Sequence, residues 1–248
     1  MHIQRGAWAE INLDAVAHNV QMAKANLKPT TKLCAVVKAD AYGHGAVRVA
    51  QEAARNGADF FAVALLQEGV KLREAGIETP ILVLGSMLPE VAEICVRYDI
   101  SHAVFDEERL YALNAAALKL HTKAKIHIKI DTGMHRIGVH VRDAGRFAKL
   151  AASLPGIYIE GVFSHFATAD ADDKQYAAYQ FERFQEALRL IEAEGVHIPI
   201  RHIANSAALT ELQEYQLDMV RQGITLYGLH PAHMIDCYKD FEPVMTVK

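Results

Sequence analysis

Cysteine, proline and tryptophan are all scarce in this 248-residue chain, and basic charge is not in excess. The three cysteines, Cys34, Cys95 and Cys237, are odd in number, far apart and free of any C-x-x-C pair. That excludes a disulfide framework and a zinc ribbon, and fits a reducing compartment. Lys and Arg number 26 against 30 Asp and Glu, a formal net charge of −4, so there is no basic field to hold nucleic acid or anionic lipid. The N-terminus MHIQRGAWAEINLD has no apolar signal region, and the longest apolar stretch, near Pro80 to Pro89, is too short to span a membrane. The expectation is a soluble cytoplasmic protein with neither a nucleic-acid nor a membrane partner. Low-complexity segments, Gly/Ser linkers and repeats are absent too, while a 51% hydrophobic content suffices for a sizeable core.

What is present is alternation. Eight short strand-like runs occur at Lys32–Lys38, Phe60–Leu65, Ile81–Leu84, His102–Phe105, Lys125–Ile130, Ile157–Phe163, Ile200–Ala204 and Leu217–Arg221. Between them lie helix-like stretches at Ala46–Asn56, Leu66–Glu74, Pro89–Arg97, Asp106–Leu118, Arg142–Leu154 and Lys174–Glu194, with Gly57, Gly76 and Gly195 where C-caps belong. The strands are nearly continuous in apolar residues, which implies burial on both faces and so a parallel sheet covered by helices. Eight such units in about 250 residues predict an α/β fold of (β/α)8 TIM-barrel type. The pattern alone leaves a doubly wound open sheet as the rival. At the N-terminus, Trp8–Leu13 reads as a strand and Asp14 as the cap of a helix bearing Val16, Ala17, Val20 and Ala23 on one face. At the other end, Phe241–Lys248 reads as the start of a new β segment. The predicted division is a barrel over residues 1–240 with an N-terminal strand-helix extension, and the beginning of a truncated C-terminal β domain over 241–248.

In a barrel, chemistry collects where strands end and βα-loops begin. The first strand ends in Lys38, followed by ADAYGHG. A lysine closing a buried strand either snorkels to the rim or loses basicity through desolvation, and in the second case it is a candidate amine nucleophile. The fifth strand ends in KIDTGMHR, bringing Lys129 and Arg136 to the same rim. Ser164 and His165 follow the sixth strand, Asn205 and Ser206 the seventh, and Arg221, Gln222 and Gly223 the eighth. Ser206, Gly223 and Ile224 stand where barrels present hydroxyl and backbone N–H groups to a phosphate, although Gly223 without the Lys38 context reads rather as a turn residue. His230-x-x-His233 with Asp236 and Cys237 is read as surface loop, and no metal is assigned. Tyr176, Tyr179, Phe181 and Phe184 are expected to pack the sixth barrel helix onto the core.

The motifs VVKADAYGHG (36–45), KIDTGMHRIG (129–138), SHFATAD (164–170), ANSAA (204–208) and RQGITLYG (221–228) together resemble the alanine racemase family, in order and over almost the whole chain. The resemblance implies a barrel that carries pyridoxal phosphate and interconverts L- and D-alanine for cell-wall precursor synthesis, as a homodimer. It implies that Lys38 holds the cofactor as a Schiff base and acts as one of two bases. Tyr42, Ser206, Gly223 and Ile224 would bind the phosphate, with Tyr227 near that site. Arg221 would face the pyridine nitrogen, Arg136 the phenolic oxygen and the substrate carboxylate, and His165 and Asn205 would flank the ring. An arginine at the pyridine nitrogen, always charged, tends to leave that nitrogen without a proton and should restrict side reactions. Lys129 is expected to be carbamylated, because two cations at a partly buried rim repel and the family replaces one by an anion.

The family's second base is a tyrosine on a C-terminal β domain donated by the other subunit, and a further phosphate-contacting tyrosine lies there too. This sequence stops at Lys248. The expectation is therefore the N-terminal barrel of a racemase, impaired when alone. The alternative of another class is a non-catalytic barrel that binds or carries pyridoxal phosphate.

Overall fold

A computed structural model describes residues 6–231 and 238–248. The chain opens with β1 (Ala9–Ile11) and α1 (Leu13–Ala25), then alternates strand and helix. The strands are β2 (Lys32–Val36), β3 (Phe60–Val63), β4 (Ile81–Val83), β5 (Ser101–Val104), β6 (Ala124–Asp131), the two-residue β7 (Val139–His140), β8 (Ile157–Phe163), β9 (Ile200–His202) and β10 (Met219–Gln222). The helices are α2 (Lys38–Tyr42), α3 (Ala46–Arg55), α4 (Leu66–Glu74), α5 (Ala92–Arg97), α6 (Glu107–Lys119), α7 (Ala144–Ser153), α8 (Gln175–Ala193) and α9 (Ser206–Glu211). A last strand, β11 (Met245–Val247), ends the chain.

Parallel pairing runs β10-β2-β3-β4-β5-β6-β8-β9, with β7 attached to β6. The ring is closed between its ends, where the Asp218 amide donates to Arg201 O at 3.0 Å and the Arg221 amide to Ala204 O at 3.1 Å. The predicted (β/α)8 barrel is therefore the architecture, and the open-sheet rival is discarded. Strands β3, β4, β5 and β10 bury both faces along their whole length, and β2 does so beyond Lys32. Leu33 and Ala35 point out to the helical layer, while Cys34 and Val36 point in with Phe60, Ala62, Leu82 and Met219. That double burial is why the strands lack polar alternation. At roughly 1.5–3 kcal/mol per buried Leu, Ile, Val or Phe side chain, it is the main stabilising contribution.

Two local expectations are corrected. The cap of α1 is Asn12, not Asp14: Asn12 Oδ1 accepts from the amides of Asp14 at 3.0 Å and Ala15 at 3.2 Å, and Asp14 stands inside the first turn, where its charge suits the helix dipole. Tyr176 and Tyr179 do not pack into the core. They are 39% and 47% exposed and edge a surface cleft with His135 and Arg183, whereas Phe184 is fully buried. At the chain ends, β11 pairs antiparallel with β1, Ile11 opposite Met245 and Ala9 opposite Val247. The N-terminal extension and the last residues thus form one ribbon. No helix among the described residues is long and apolar enough to cross a membrane.

Candidate active site

Because all eight barrel strands run the same way, their C-terminal ends open on one face, and a cavity of about 530 Å³ lies there. Lys38, Tyr42, Lys129, Arg136, His165, Asn205, Ser206, Arg221, Gly223 and Ile224 all line it. Of the rim residues singled out from sequence, Ser164, Gln222 and Tyr227 are buried and do not line it. Tyr227 lies behind the wall. It is almost fully buried, its Oη donates to Val36 O at 2.9 Å, and its ring meets Tyr42 edge-on at 5.2 Å. Asn205 has a structural duty as N-cap of α9, its Oδ1 accepting from the Ala208 amide at 3.1 Å. His233, Asp236 and Cys237 lie outside the described residues. Among the described residues no group of three or more His, Cys, Asp or Glu is placed to hold a metal ion.

Lys38 follows β2 directly and opens α2, which is not an ordinary helix. Ala39, Asp40, Ala41 and Tyr42 all have left-handed φ, between 51° and 56°. L-residues resist that conformation, so the turn must be held from outside. Glu68 on α4 does so: Oε1 accepts from the Ala39 amide at 2.5 Å, and Oε2 from the amides of Ala64 and Leu65 at 2.8 and 3.0 Å. Asp40 adds a second tether, accepting from the Ala46 amide at 3.1 Å and from Lys71 at 3.1 Å. Sequence reasoning missed Glu68, because its partners belong to two different loops. Burial, helped by Arg136 and opposed by Glu68, lowers the Lys38 amine below the usual lysine range. The amine sits 5.7 Å from the centre of the Tyr42 ring.

Across the cavity, the Gly223 amide donates to Ser206 Oγ at 2.8 Å. A Cβ built on Gly223 would stand 3.7 Å from Ser206 Oγ and 3.8 Å from Tyr42 Oη, so the missing side chain leaves a small space edged by two hydroxyls and a backbone amide. Such a cluster suits an oxyanion.

Arg221 is 3% exposed and all its hydrogen-bond partners are uncharged. Nη1 donates to His202 Nδ1 at 2.7 Å, and Nη2 to Ser164 O at 2.8 Å, Ile203 O at 3.0 Å and His165 Nδ1 at 3.0 Å. Burial lowers its pKa to about 10, which still leaves a cation at neutral pH. His165 is held well below the imidazole range by burial and by Arg221, Lys129, Arg136 and Lys38, so its ring is neutral and can accept from Arg221. Lys129, also 3% exposed, donates from Nζ to Ile130 O at 2.8 Å. Burial first, then Arg221 and Arg136, push it down to about 7. Four basic side chains around one cavity call for an anionic ligand.

The fold and this rim define a (β/α)8 barrel with a lysine amine of lowered basicity and a corner of two hydroxyls and a backbone amide facing one cavity. The family described as "Alanine racemase, N-terminal domain" matches residues 11–231, and the chain belongs to it. It is 46% identical over 244 residues to an alanine racemase of Desulfovibrio desulfuricans, covering 98% of this chain and 66% of the relative. An alanine racemase of Halothermothrix orenii is 45% identical over 246 residues, covering 99% and 65%. Among solved structures, alanine racemase of Clostridium difficile 630 in complex with cycloserine superposes with a TM-score of 0.95 at 38% identity, covering 99% of this chain and 68% of that one. Alanine racemase of Bacillus anthracis with bound L-Ala-P gives 0.92 at 36% identity, covering 100% and 64%. The chain thus spans about two thirds of the length of the curated relatives it matches.

Proposed function

We propose that this chain is the pyridoxal-phosphate-binding barrel of an enzyme that racemises alanine as a homodimer. The observation that carries the reading is the placement of Lys38, its basicity lowered by burial, in the same cavity as the Ser206, Gly223 and Tyr42 corner. An aldehyde needs an uncharged amine, which lowered basicity makes more available, and a phosphate needs neutral and cationic donors of the kinds that line this cavity. The space a Cβ on Gly223 would fill is the structural sign that the corner is kept open for a ligand atom.

Tyr42, Ser206, Gly223 and Ile224 would hold the phosphate, while Tyr227 braces Tyr42 from behind. His165 and Asn205 would flank the ring, and Arg136 would take the phenolic oxygen and the substrate carboxylate. Arg221, a cation with N–H donors and no acceptor, would disfavour protonation of the pyridine nitrogen. Pyridoxal phosphate supplies, when bound, a sink for the electron pair left at Cα after proton loss. Lys38 would take or return that proton on one face. Inversion needs a second group on the other, which the reading assigns to the partner subunit. Burial brings the Lys129 pKa down to about 7, so about half of its amine is uncharged at neutral pH, and that form can capture carbon dioxide: its lone pair attacks the carbon, an N–C bond forms as a C=O π pair moves to oxygen, and the nitrogen proton leaves to solvent. The carbamate would then sit as an anion between Arg136 and Arg221.

Borohydride reduction in the presence of pyridoxal phosphate, followed by peptide mapping, tests the reading. A stable pyridoxyl adduct on Lys38 is expected, and an adduct confined to another lysine would overturn it.

A further inference from the structure

Below the cavity the barrel interior carries a polar chain that the proposed reaction does not use. Arg221 Nη1 donates to His202 Nδ1 at 2.7 Å, and His202 Nε2 lies 2.9 Å from His127 Nδ1. His127 Nε2 lies 3.0 Å from Glu160 Oε2, and Ser101 Oγ donates to that same oxygen at 2.5 Å. Both imidazoles are fully buried.

The chemistry at its two ends fixes the protons between them. A guanidinium has only donors, so His202 Nδ1 must offer a lone pair. Its proton then sits on Nε2 and points at His127 Nδ1, which must accept. That places the His127 proton on Nε2, where the Glu160 carboxylate receives it. Reversing any link sets two N–H groups, or two lone pairs, face to face. Burial first, then Arg221, holds His202 well below the imidazole range, in keeping with a neutral ring. Burial raises Glu160, yet the hydrogen bonds from His127 and Ser101 outweigh it and leave the carboxyl below its ordinary value.

The backbone makes room for this chain at two places. The register of β8 against β6 slips between Ile126, opposite Ile159, and His127, opposite Gly161, so Glu160 is an extra residue in a bulge and can share the interior with Gly161. At Gly161 a Cβ would stand 2.5 Å from His127 Nδ1 and 2.7 Å from Ile200 O. The rings are also wedged: Phe60 meets His127 edge-on at 5.8 Å, and Phe163 stacks on His202 at 4.9 Å with an interplanar angle of 5°.

We propose that Glu160 is a positioning residue for Arg221, terminating a proton-ordered chain through His127 and His202 that keeps a lone pair beneath the guanidinium. The value of a fixed Arg221 to the cofactor rests on the function proposed above; the proton order does not.

The test uses the chain with 15N-labelled histidine and long-range 1H–15N correlation at neutral pH, with His127→Gln and His202→Gln for assignment. Both rings are expected neutral, with the proton on Nε2. A proton on Nδ1 of either ring, or an imidazolium, overturns the proposal whether or not pyridoxal phosphate binds. Glu160→Leu removes the final acceptor and leaves the His127 Nε2 proton without it, while Arg221 still holds the His202 tautomer, so the His127 Nε2 resonance should shift and pyridoxal phosphate affinity should fall about tenfold or more. Glu160→Gln, whose amide oxygen still accepts, should restore both. Wild-type pyridoxal phosphate affinity in a folded Glu160→Leu variant refutes the positioning role, and so does loss of that affinity in Glu160→Gln.

Discussion

The left-handed turn after Lys38 makes a prediction whose sign is opposite to that of an ordinary helix. Four consecutive L-residues, Ala39 to Tyr42, have φ near +50°, a conformation that costs about 1–2 kcal/mol per residue. Ala39 is the clean position to perturb, because its side chain is exposed while that of Ala41 is fully buried. Replacing it with glycine removes the steric cost but gives the unfolded chain more freedom, worth about 0.5–1 kcal/mol. The net expectation for Ala39→Gly is a gain of about 0.5–1 kcal/mol. The control is Ala115→Gly, an exposed position in the middle of α6, where the same change should lose about 1 kcal/mol. Urea unfolding of the three proteins reads the difference directly. If Ala39→Gly lowers the midpoint as Ala115→Gly does, the turn is not left-handed and the account of how Lys38 is aimed fails. Ala39→Gly should also weaken pyridoxal phosphate binding, since a relaxed turn aims Lys38 less well, so stability and affinity should move in opposite directions.

Three further outcomes are expected. Lys129 has its pKa near 7 in the folded chain against about 10.4 when unfolded. Between those values the unfolded state binds more protons, so in carbonate-free buffer stability should rise with pH across that window, and Lys129→Met should flatten the slope. With 13C-bicarbonate, a carbamate resonance should appear in the wild-type chain and vanish in Lys129→Met. Gly161→Ala should destabilise by roughly 1–3 kcal/mol in chemical unfolding, because the added methyl meets backbone as well as the His127 ring; a neutral result would contradict the close approach. The proposed function places the second acid–base group outside these 248 residues, so incubated with pyridoxal phosphate and L-alanine they should bind the cofactor but form D-alanine slower by around 10²–10⁴-fold. Full turnover would require a second base within the barrel, and losing it in His165→Ala would identify that base.

Strand number and strand type were legible because a buried parallel strand leaves no polar alternation. Leu66–Glu74 was bounded as observed, and Gly57, Gly76 and Gly195 fall just past helix ends with positive φ. The rim residues were legible for a topological reason: parallel strands can deliver Lys38, Lys129, His165, Ser206 and Arg221 only to one face. What was not legible depends on partners distant in sequence. Nothing in Ala-Asp-Ala-Tyr predicts a left-handed turn, since the carboxylate that holds it arrives from Glu68. Asn12 and Asp14 are both good caps, and only the arrival of the chain from β1 decides between them. Gly85 and Ser86, after β4, also line the cavity, and a short strand ending in Leu-Gly-Ser gave little reason to select them.

The barrel interior itself is divided, and the division bears on how the site keeps its shape. Its β2, β3 and β4 side contributes Cys34, Val36, Phe60, Ala62 and Leu82, whose packing needs no particular protonation state. The opposite side, from β5 through β10, contributes Ser101, His127, Lys129, Glu160, His202 and Arg221, buried polar groups that are tolerable only when each finds a partner. A volume change on the first side should therefore reduce stability and leave the charge pattern of the cavity intact. Removing one hydrogen-bonding atom on the second side leaves its neighbour unsatisfied, and that neighbour can recover only by moving the next. Because the last member of the chain is Arg221, the disturbance ends at the cavity rather than dissipating in the core.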